Sequence, residues 1–238
     1  MVSISPLLAI EGGRVTIKGS DLIDGDHCQP KVEIGNVPAH VIRASRNSVS
    51  LIVPQGCDGG QLSVRLESAP GEAAFLDVGR PIATGLHQVD SPVIDRDGSV
   101  YVTYSGSRGE RSPVSVFRVR RDGFREPFVT GITNATSLAF SPDGALYVSS
   151  RFEGAIYCVS KEGTFETFAK DLGVACGMAF SPEGTLYVGD RSGTIFRVGS
   201  DGEASMFATV PASIAAFHLA WGPDNGLYVT APTFASAA

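Results

Sequence analysis

The chain has little of several features that mark particular classes of protein. Its 238 residues contain 19 Lys and Arg against 25 Asp and Glu, a net charge of -6, and no run of basic residues. Because nucleic-acid binding needs a basic surface, we expect no nucleic-acid partner. No apolar stretch approaches the roughly 20 residues that a membrane-spanning helix requires, so we expect no membrane span. The 43% of hydrophobic residues is nevertheless enough to bury real cores.

The first residues, MVSISPLLAIEGG, lack the basic segment that opens a signal peptide and reach a Gly-Gly turn early. This pattern predicts a cytoplasmic protein if Met1 is the native start. If a leader has been removed, the prediction is an exported protein.

Cysteine is also scarce. The four residues Cys28, Cys57, Cys158 and Cys176 have neither CxxC spacing nor clustered histidines, so we expect no structural zinc site. Cys28 and Cys57 fall in the same small region; they are predicted to pair in an oxidising compartment and to stay free thiols otherwise. Several catalytic templates are absent as well, among them the GxSxG elbow, HExxH and the Walker loop.

What the chain does contain is a repeat. The segments VIDRDGSVYV, AFSPDGALYV, AFSPEGTLYV and AWGPDNGLYV place marker tyrosines at Tyr101, Tyr147, Tyr187 and Tyr228, in steps of 46, 40 and 41 residues. The first step is longer because residues 105–113, SGSRGERSP, insert a polar loop. Repeats of about 40 residues indicate an array of structural units that stack on one another.

Each unit contains four short apolar runs separated by Asp-Gly, Glu-Gly or Ser-Gly, the pattern of strands joined by hairpins. We predict strands at 138–141, 146–149, 155–159 and 164–169, and again at 178–181, 186–189, 194–198 and 204–208. Four antiparallel strands in each repeat are typical of β-propeller blades. Recurring aromatics are predicted to pack between blades: Phe128, Phe140, Phe168, Phe180, Phe207 and Trp221.

The predicted blades do not add up to a closed ring. Residues 81–86 match 127–132 and are predicted to form a lone closing strand, followed by three four-stranded blades and the first part of a fourth. Propellers have about four blades or more. The fold class is therefore predicted to be all-β, a sandwich followed by a partial propeller that is either a fragment of a longer chain or half of a ring shared with a second copy. An unpaired strand edge after Tyr228 would favour self-association.

Residues 1–79 have turn residues at different spacings from those of the repeat, and about seven short strands of alternating polarity are predicted between them. This pattern favours a β-sandwich. Its motifs are Gly12-Gly13, Val15-Thr16-Ile17 followed by Gly19, Ile34-Gly35 and Val53-Pro54. Through these motifs the segment resembles the TIG/IPT immunoglobulin-like family. That resemblance implies a spacer, binding or dimerisation module. The predicted domains are thus a sandwich at 1–79 and a partial propeller at 80–238.

The blades resemble the NHL and regucalcin/gluconolactonase-like group, whose motif P-x-G-x-L-Y-V-x-D is matched at 142–150 and 182–190. For the lactonases of that group, the resemblance implies a divalent cation such as Ca²⁺ held by Glu, two Asn and Asp. The Asn positions are Thr136 and Cys176 here, and the Asp positions are Ser150, Asp190 and Thr230. Only Asp190 has the expected type, so we predict no cofactor for this chain and a cation only in a longer protein.

A propeller gathers on one face the loops that precede each inner strand and those that link its second and third strands. The predicted ligand-binding residues on that face are His87, Arg108, Arg111, Asn134, Arg151, Asp190, Arg191 and His218. The arginines could offer forked donors to a carboxylate or phosphate, or form surface ion pairs such as Arg191 with Asp190 and Arg151 with Glu153. The histidines are either ligands or ordinary loop residues. No catalytic residue is assigned.

These features predict a non-enzymatic binding scaffold whose loops face an unidentified protein, carbohydrate or small ligand. The alternative is the N-terminal part of a metal-dependent lactonase or related hydrolase.

Overall fold

The computed structural model describes residues 2–23, 30–67, 74–84, 86, 91–212 and 217–230. Within these ranges the chain forms 23 strands and no helix, which confirms the all-β prediction. It divides into two compact units, Met1–Pro81 and Ile82–Ala238. Each unit is described by itself.

The first unit is a sandwich of two sheets. One sheet has the strand order β1-β3-β7-β6 and the other β2-β9-β8-β4-β5. The strands are β1 (Ser3–Ser5), β2 (Leu8–Ala9), β3 (Arg14–Lys18), β4 (Val32–Ile34), β5 (Val37–Pro38), β6 (His40–Ser45), β7 (Ser48–Ile52), β8 (Gly60–Leu66) and β9 (Ala74–Val78).

The sequence of β3 explains why this sandwich forms. Val15 and Ile17 alternate with polar residues, so both valine and isoleucine point into the core and are 1% exposed. Between them, the Thr16 hydroxyl lies 3.0 Å from the hydroxyl of Ser50 on the paired strand β7. Val49 and Leu51 alternate in the same way on β7 and are fully buried. Both strands therefore contribute one apolar face to a single core.

The second unit contains three four-stranded antiparallel sheets and one two-stranded sheet, each with its strands in chain order. The first sheet consists of β10 (Val93–Ile94), β11 (Val100–Thr103), β12 (Val116–Val119) and β13 (Arg125–Val129); the second of β14 (Ala135–Phe140), β15 (Leu146–Ser150), β16 (Ala155–Val159) and β17 (Phe165–Ala169). The third consists of β18 (Ala175–Phe180), β19 (Leu186–Asp190), β20 (Thr194–Val198) and β21 (Ala204–Thr209), and the fourth of β22 (His218–Trp221) and β23 (Leu227–Thr230).

The first strands of the second and third sheets begin three residues earlier than predicted. The reason is a β-bulge: Ala135 pairs with Ser150 and Leu138 with Val148, so two residues between them face one residue of β15. The third sheet has the same bulge, because Ala175 pairs with Asp190 and Met178 with Val188. A bulge interrupts the apolar alternation, and the predicted strands therefore started only after it.

Aromatic side chains join each sheet to the next. Each of the first three marker tyrosines lies between a phenylalanine of its own sheet and an aromatic residue of the following sheet. Ring centroids are 5.1 and 5.6 Å from Tyr101 to Phe128 and Phe140, 5.0 Å from Tyr147 to both Phe168 and Phe180, and 4.9 and 5.1 Å from Tyr187 to Phe207 and Trp221. The predicted packing role of these six aromatics is confirmed.

Glycines in the turns between third and fourth strands provide a second contact between sheets. A methyl group on Gly163 would collide with the carbonyl oxygen of Phe128 in the preceding sheet. Gly202 is related in the same way to Phe168. Only a residue without a side chain permits this close approach of two backbones.

Residues 81–84 and 86 form no strand. The prediction that this segment is a hydrogen-bonded closing strand is therefore wrong. A closing strand needs the third strand of a blade as its partner, and no described strand pairs with this segment. Its position nevertheless follows the repeat. A methyl group on Gly123 would lie 3.1 Å from the carbonyl oxygen of Ile82, so Ile82 faces the first sheet as Phe128 faces the second.

Candidate functional site

The connections of the four sheets fall into two sets, one at each end of the strands. The loop face is made of the described connections that precede first strands or link second to third strands: 91–92, 104–115, 130–134, 151–154, 170–174, 191–193 and 210–212. The turn face is made of the others: 95–99, 120–124, 141–145, 160–164, 181–185, 199–203 and 222–226.

The two faces differ in charge. The loop face carries five Lys and Arg against three Asp and Glu, a net +2, which becomes +1 when Asp190 at the end of β19 is added. The turn face carries four Lys and Arg against nine Asp and Glu, a net -5. Over the described connections, the loop face is therefore the less acidic end of this unit.

Asn134 holds the inserted loop of the first sheet. Its side-chain nitrogen donates to the carbonyl oxygens of Ser105 (2.5 Å) and Ser107 (2.8 Å), and its side-chain oxygen accepts from Gly109 N (2.7 Å). The residue is 1% exposed and has a φ of 48°, a left-handed conformation that asparagine tolerates better than most residues. Asn134 therefore positions the loop, with both hydrogens and the oxygen of its amide engaged.

Asp190 has a comparable positioning role. Its Oδ1 accepts a hydrogen bond from Val174 N (2.7 Å), and its Oδ2 accepts one from the Ser192 hydroxyl. At the same register in the second sheet, the Ser150 hydroxyl donates to Thr133 O (2.6 Å). In both sheets this residue joins the link after the second strand to the connection before the first strand.

Cys176 is buried in β18, two residues after the loop-face connection that ends at Val174. Its thiol is 0% exposed and donates to Val174 O (3.2 Å), while its sulfur accepts from Phe217 N in the fourth sheet's connection. Burial raises the pKa of the Cys176 thiol to about 11. The hydrogen bond from Phe217 N and the positive charges of Arg191 and Arg151 act in the opposite direction on that pKa. The thiol is thus uncharged at neutral pH, which makes it a poor nucleophile.

His218 brings the first and fourth sheets together. Its Nδ1 lies 3.4 Å from the hydroxyl of Ser91, which has a φ of 48°. Ser91 and His218 stand two residues before Val93 and Ala220, which pair with the marker tyrosines of their sheets. Equivalent positions of the first and fourth sheets therefore meet at the loop face.

The structure places the predicted site residues in three groups. Arg108 and Arg111 are exposed on the inserted loop that Asn134 holds. Half-buried Arg151 and exposed Arg191 begin the links after β15 and β19, and their positive charges lower the pKa of Cys176. His218 lies at Ser91, and His87 lies outside the described residues, as does Cys28 of the predicted Cys28–Cys57 pair. These residues remain a predicted binding set.

The ligand positions implied by the lactonase resemblance offer little to a metal ion. Thr136 donates to Asn134 O (2.8 Å), and Cys176 and Asp190 have the partners given above. The alignment of Thr230 with Asp190 is wrong by one residue, because Tyr228 pairs with Ala220 as Tyr187 pairs with Ala179, so the equivalent is residue 231, outside the described ranges. Over the described residues, no group of three or more His, Cys, Asp and Glu side chains is arranged to hold a metal.

A groove of about 1120 Å³ opens on the turn face between the first and second sheets. Arg118 lines this groove and, together with Arg120, forms ion pairs with Glu126; hydrogen bonds from Arg120 and then Arg118 lower the pKa of Glu126. Tyr101 donates to Asp95 at 3.2 Å. The sequence analysis missed this cluster, although the Asp-Gly hairpin at Asp122 places Arg118 opposite Glu126. Because Glu126 engages both Arg118 and Arg120, these two arginines are less available to an external anion.

Among the described residues, no helix is long and apolar enough to cross a membrane.

Together these observations define the class of protein: an immunoglobulin-like sandwich followed by propeller-like four-stranded sheets. The sequence profile of the IPT/TIG domain matches residues 1–74. A sequence search of curated proteins found no match.

Solved structures agree with this class. An auxiliary nutrient binding protein from Bacteroides thetaiotaomicron is similar with a TM-score of 0.51 and 15% identity, over 96% of this chain and 63% of that one. A putative gluconolactonase is similar with a TM-score of 0.51 and 21% identity, over 73% and 68%. Virginiamycin B lyase from Staphylococcus aureus has a TM-score of 0.50 and 14% identity, over 85% and 68%. The chain spans 63% of the length of the Bacteroides protein, and identities this low establish the fold alone.

Proposed function

We propose that this protein is a non-enzymatic binding scaffold whose loop face contacts an unidentified protein, carbohydrate or small ligand, with the sandwich as a spacer. The observation that supports it most is the contrast between the faces. The turn face repeats short, acidic turns, whereas the loop face carries an inserted loop that a buried Asn134 holds in place. Loops fixed on a rigid scaffold are a common form of binding surface. One similar structure is of an auxiliary nutrient binding protein.

A matched pair of surface variants tests this proposal. The loop-face variant is Arg108→Ala with Phe152→Ala, and the turn-face variant is Arg121→Ala with Phe124→Ala; both phenylalanines are exposed, at 54% and 57%. The full chain is screened against a library of neutral and acidic oligosaccharides and a library of organic acids and nucleotides, and hits are quantified by calorimetry. We expect hits that only the loop-face variant loses. Equal loss in both variants, or no hit, contradicts the proposal.

The lactonase alternative is tested on the same preparation by titration with Ca²⁺ or Zn²⁺, followed by a lactone hydrolysis assay. The similarity to a putative gluconolactonase concerns the fold alone. Turnover that depends on the added metal would replace the binding proposal by the hydrolase.

We also propose that the sheets, with their resemblance to NHL-type repeats, are part of an incomplete ring. Ile94 occupies the position at which Phe140 and Phe180 cover the tyrosine of the preceding sheet, and it is 66% exposed. Tyr228, which a following sheet would cover, is 56% exposed. We expect the 238-residue chain to self-associate through these faces and Tyr228→Glu to weaken that association. A monomer at all concentrations in light scattering contradicts it.

A further inference from the structure

We propose that one outer face of the sandwich binds a linear polysaccharide of uronic acids, whose carboxylates and hydroxyls match the cations and hydroxyls on that face. The inference goes beyond the proposed function, in which the sandwich is a spacer, and it does not depend on the loop face of the second unit. The surface is the outer side of the sheet β1-β3-β7-β6, here called the basic face.

Strand alternation builds the basic face. In β3, the buried Val15 and Ile17 alternate with polar residues, which therefore lie on the outer side of the sheet. These polar residues are Arg14, Thr16 and Lys18. The strand registers add Ser50 and Ser48 of β7, opposite Thr16 and Lys18, then Ser3 of β1, opposite Lys18, and Arg43 of β6, opposite Ser50. Cations and hydroxyl groups are therefore neighbours on one side of this sheet.

The charges of the basic face are all of one sign. No residue of its four strands is acidic, and the side chains of Arg14, Lys18 and Arg43 are exposed. Over the described part of the chain, none of these three cations forms an ion pair. In a chain with a net charge of -6, the basic face is therefore a local positive surface that attracts anions.

The second sheet of the sandwich shows that this charge pattern is particular to the basic face. Its strands carry one cation, Arg65, against Glu33 and Asp77, a net -1. Arg65 lies directly opposite Glu33 in the strand register, an arrangement in which opposite charges stabilise each other. The first sheet has no such acidic neighbour for its cations, so their charge is available to a partner.

The spacing of the cations favours an extended chain of low charge density. Arg14 and Lys18 are four residues apart on one strand, about 13 Å, and Arg43 lies two strands from Thr16, about 10 Å. Charges spread at these distances on a flat sheet match charges that repeat along a polymer better than the one charge of a small ligand. Duplex DNA carries a charge for about every 1.7 Å of its axis, a far higher density. The four strands also contain no Phe, Tyr or Trp on which bases of a single strand stack.

The hydroxyl groups favour a polysaccharide over an acidic peptide. The hydroxyls of Thr16 and Ser50 lie 3.0 Å apart in the middle of the basic face, and Ser3 and Ser48 flank Lys18 on its two neighbouring strands. A hydroxyl both donates and accepts hydrogen bonds, as the hydroxyls of a sugar ring do. Each unit of a polyuronate carries such hydroxyls and a carboxylate, whose two oxygens match the planar fork of arginine. An acidic peptide supplies the carboxylates without the sugar hydroxyls.

The test is calorimetric titration of the full chain with sodium polygalacturonate at low ionic strength. The fully methyl-esterified polymer is the control probe, because it keeps the sugar chain and removes its charge. The basic-face variant is Arg14→Gln with Lys18→Gln and Arg43→Gln.

The matched control variant, Lys31→Gln with Arg65→Gln and Arg80→Gln, removes the same charge from exposed positions elsewhere in this unit. Circular dichroism verifies that each variant is folded, and Lys18→Gln with Arg43→Gln replaces the triple variant if that one unfolds.

We expect polygalacturonate to bind the wild type and the control variant equally and the methyl ester to bind neither. The basic-face variant should lose about tenfold or more in affinity, the sum of three exposed charge contacts. Added salt should weaken the binding of the wild type, because exposed charges are screened.

No binding of polygalacturonate, or equal binding by the basic-face variant, overturns the inference. Binding of poly-L-glutamate or single-stranded DNA as tight as that of polygalacturonate also overturns it, since the face would then serve an acidic protein segment or a nucleic acid. The loop-face variant, Arg108→Ala with Phe152→Ala, should bind the polymer as the wild type does. If the loop-face variant alone loses the polymer, the inference fails while the proposed function stands.

Discussion

The third and fourth sheets carry the same repeat and differ in what covers them. Tyr187 lies between Phe207 and Trp221 and is 8% exposed, whereas Tyr228 at the equivalent position is 56% exposed. Local features persist in the fourth sheet: Tyr228 donates to Asp224 (2.7 Å) as Tyr101 donates to Asp95. The comparison teaches that the repeat determines strand and turn within each sheet, while burial of its aromatics depends on the sheet that follows.

Replacing the two equivalent tyrosines by alanine should have very different effects. Tyr187→Ala removes a ring packed between two sheets and is expected to lower the free energy of unfolding by about 3–5 kcal/mol. Tyr228→Ala removes a mostly exposed ring and should cost less than about 1 kcal/mol. Urea unfolding followed by circular dichroism measures both. Similar losses for both variants would mean that Tyr228 is covered in solution.

The second largest loss of stability is expected where a turn glycine of one sheet contacts the backbone of the preceding sheet. Gly163→Ala adds a methyl group against the carbonyl oxygen of Phe128, whereas Gly144→Ala adds one where no atom lies within 4 Å. Both glycines have a positive φ, 83° and 93°, so the backbone strain of alanine is shared and cancels in the comparison. We expect Gly163→Ala to destabilise the protein by about 2–3 kcal/mol more than Gly144→Ala in urea unfolding. Equal values would contradict the backbone contact between sheets.

The structural features that depend on short-range sequence pattern could be predicted from the sequence. The four-stranded units, their hairpins and the six packing aromatics follow from alternation and Asp-Gly turns around residues such as Asp143 and Gly144. The bulge after Ala135 and the lack of pairing at Ile82 were missed, because both depend on hydrogen bonds to a partner strand. Sequence alternation contains no information about such a partner.

The candidate site was predictable only by residue type and face. The sequence placed Arg108, Arg151 and Arg191 on one face because the propeller topology groups those links. It did not reveal that Asn134 is hydrogen-bonded at both ends of its amide or that Cys176 accepts a hydrogen bond from Phe217 N, since both depend on residues more than 10 positions away in the chain.

The free energy of unfolding should depend on pH through Cys176, which lies where the third and fourth sheets meet. Its folded-state pKa of about 11 lies above the ordinary value of 9.0, so the folded protein binds this proton more tightly than the unfolded chain. The corresponding stability is present below about pH 9 and is lost as the pH rises towards about 11, by roughly 2 kcal/mol.

Cys176→Ser keeps a hydrogen-bonding side chain and removes this titration. Unfolding in urea, followed by fluorescence of Trp221, the chain's single tryptophan, is measured between about pH 8 and 11 for both proteins. Tyr147 and Tyr157, whose burial raises their pKa values to about 12, titrate equally in both and cancel in the difference. Parallel stability profiles would contradict the buried position of the thiol.

The smallest expected effect comes from a hydrogen bond between sheets. The Ser149 hydroxyl donates to Cys176 O at 2.8 Å and accepts from Ser137 N at 3.0 Å, and Thr230 has the same register in the fourth sheet but is exposed. Ser149→Ala leaves two buried backbone groups without that partner and should cost about 1–2 kcal/mol, against less than about 0.5 kcal/mol for Thr230→Ala. Urea unfolding of both variants measures the difference. A larger loss for Thr230→Ala would mean that the fourth sheet, like the third, is covered by another sheet in solution.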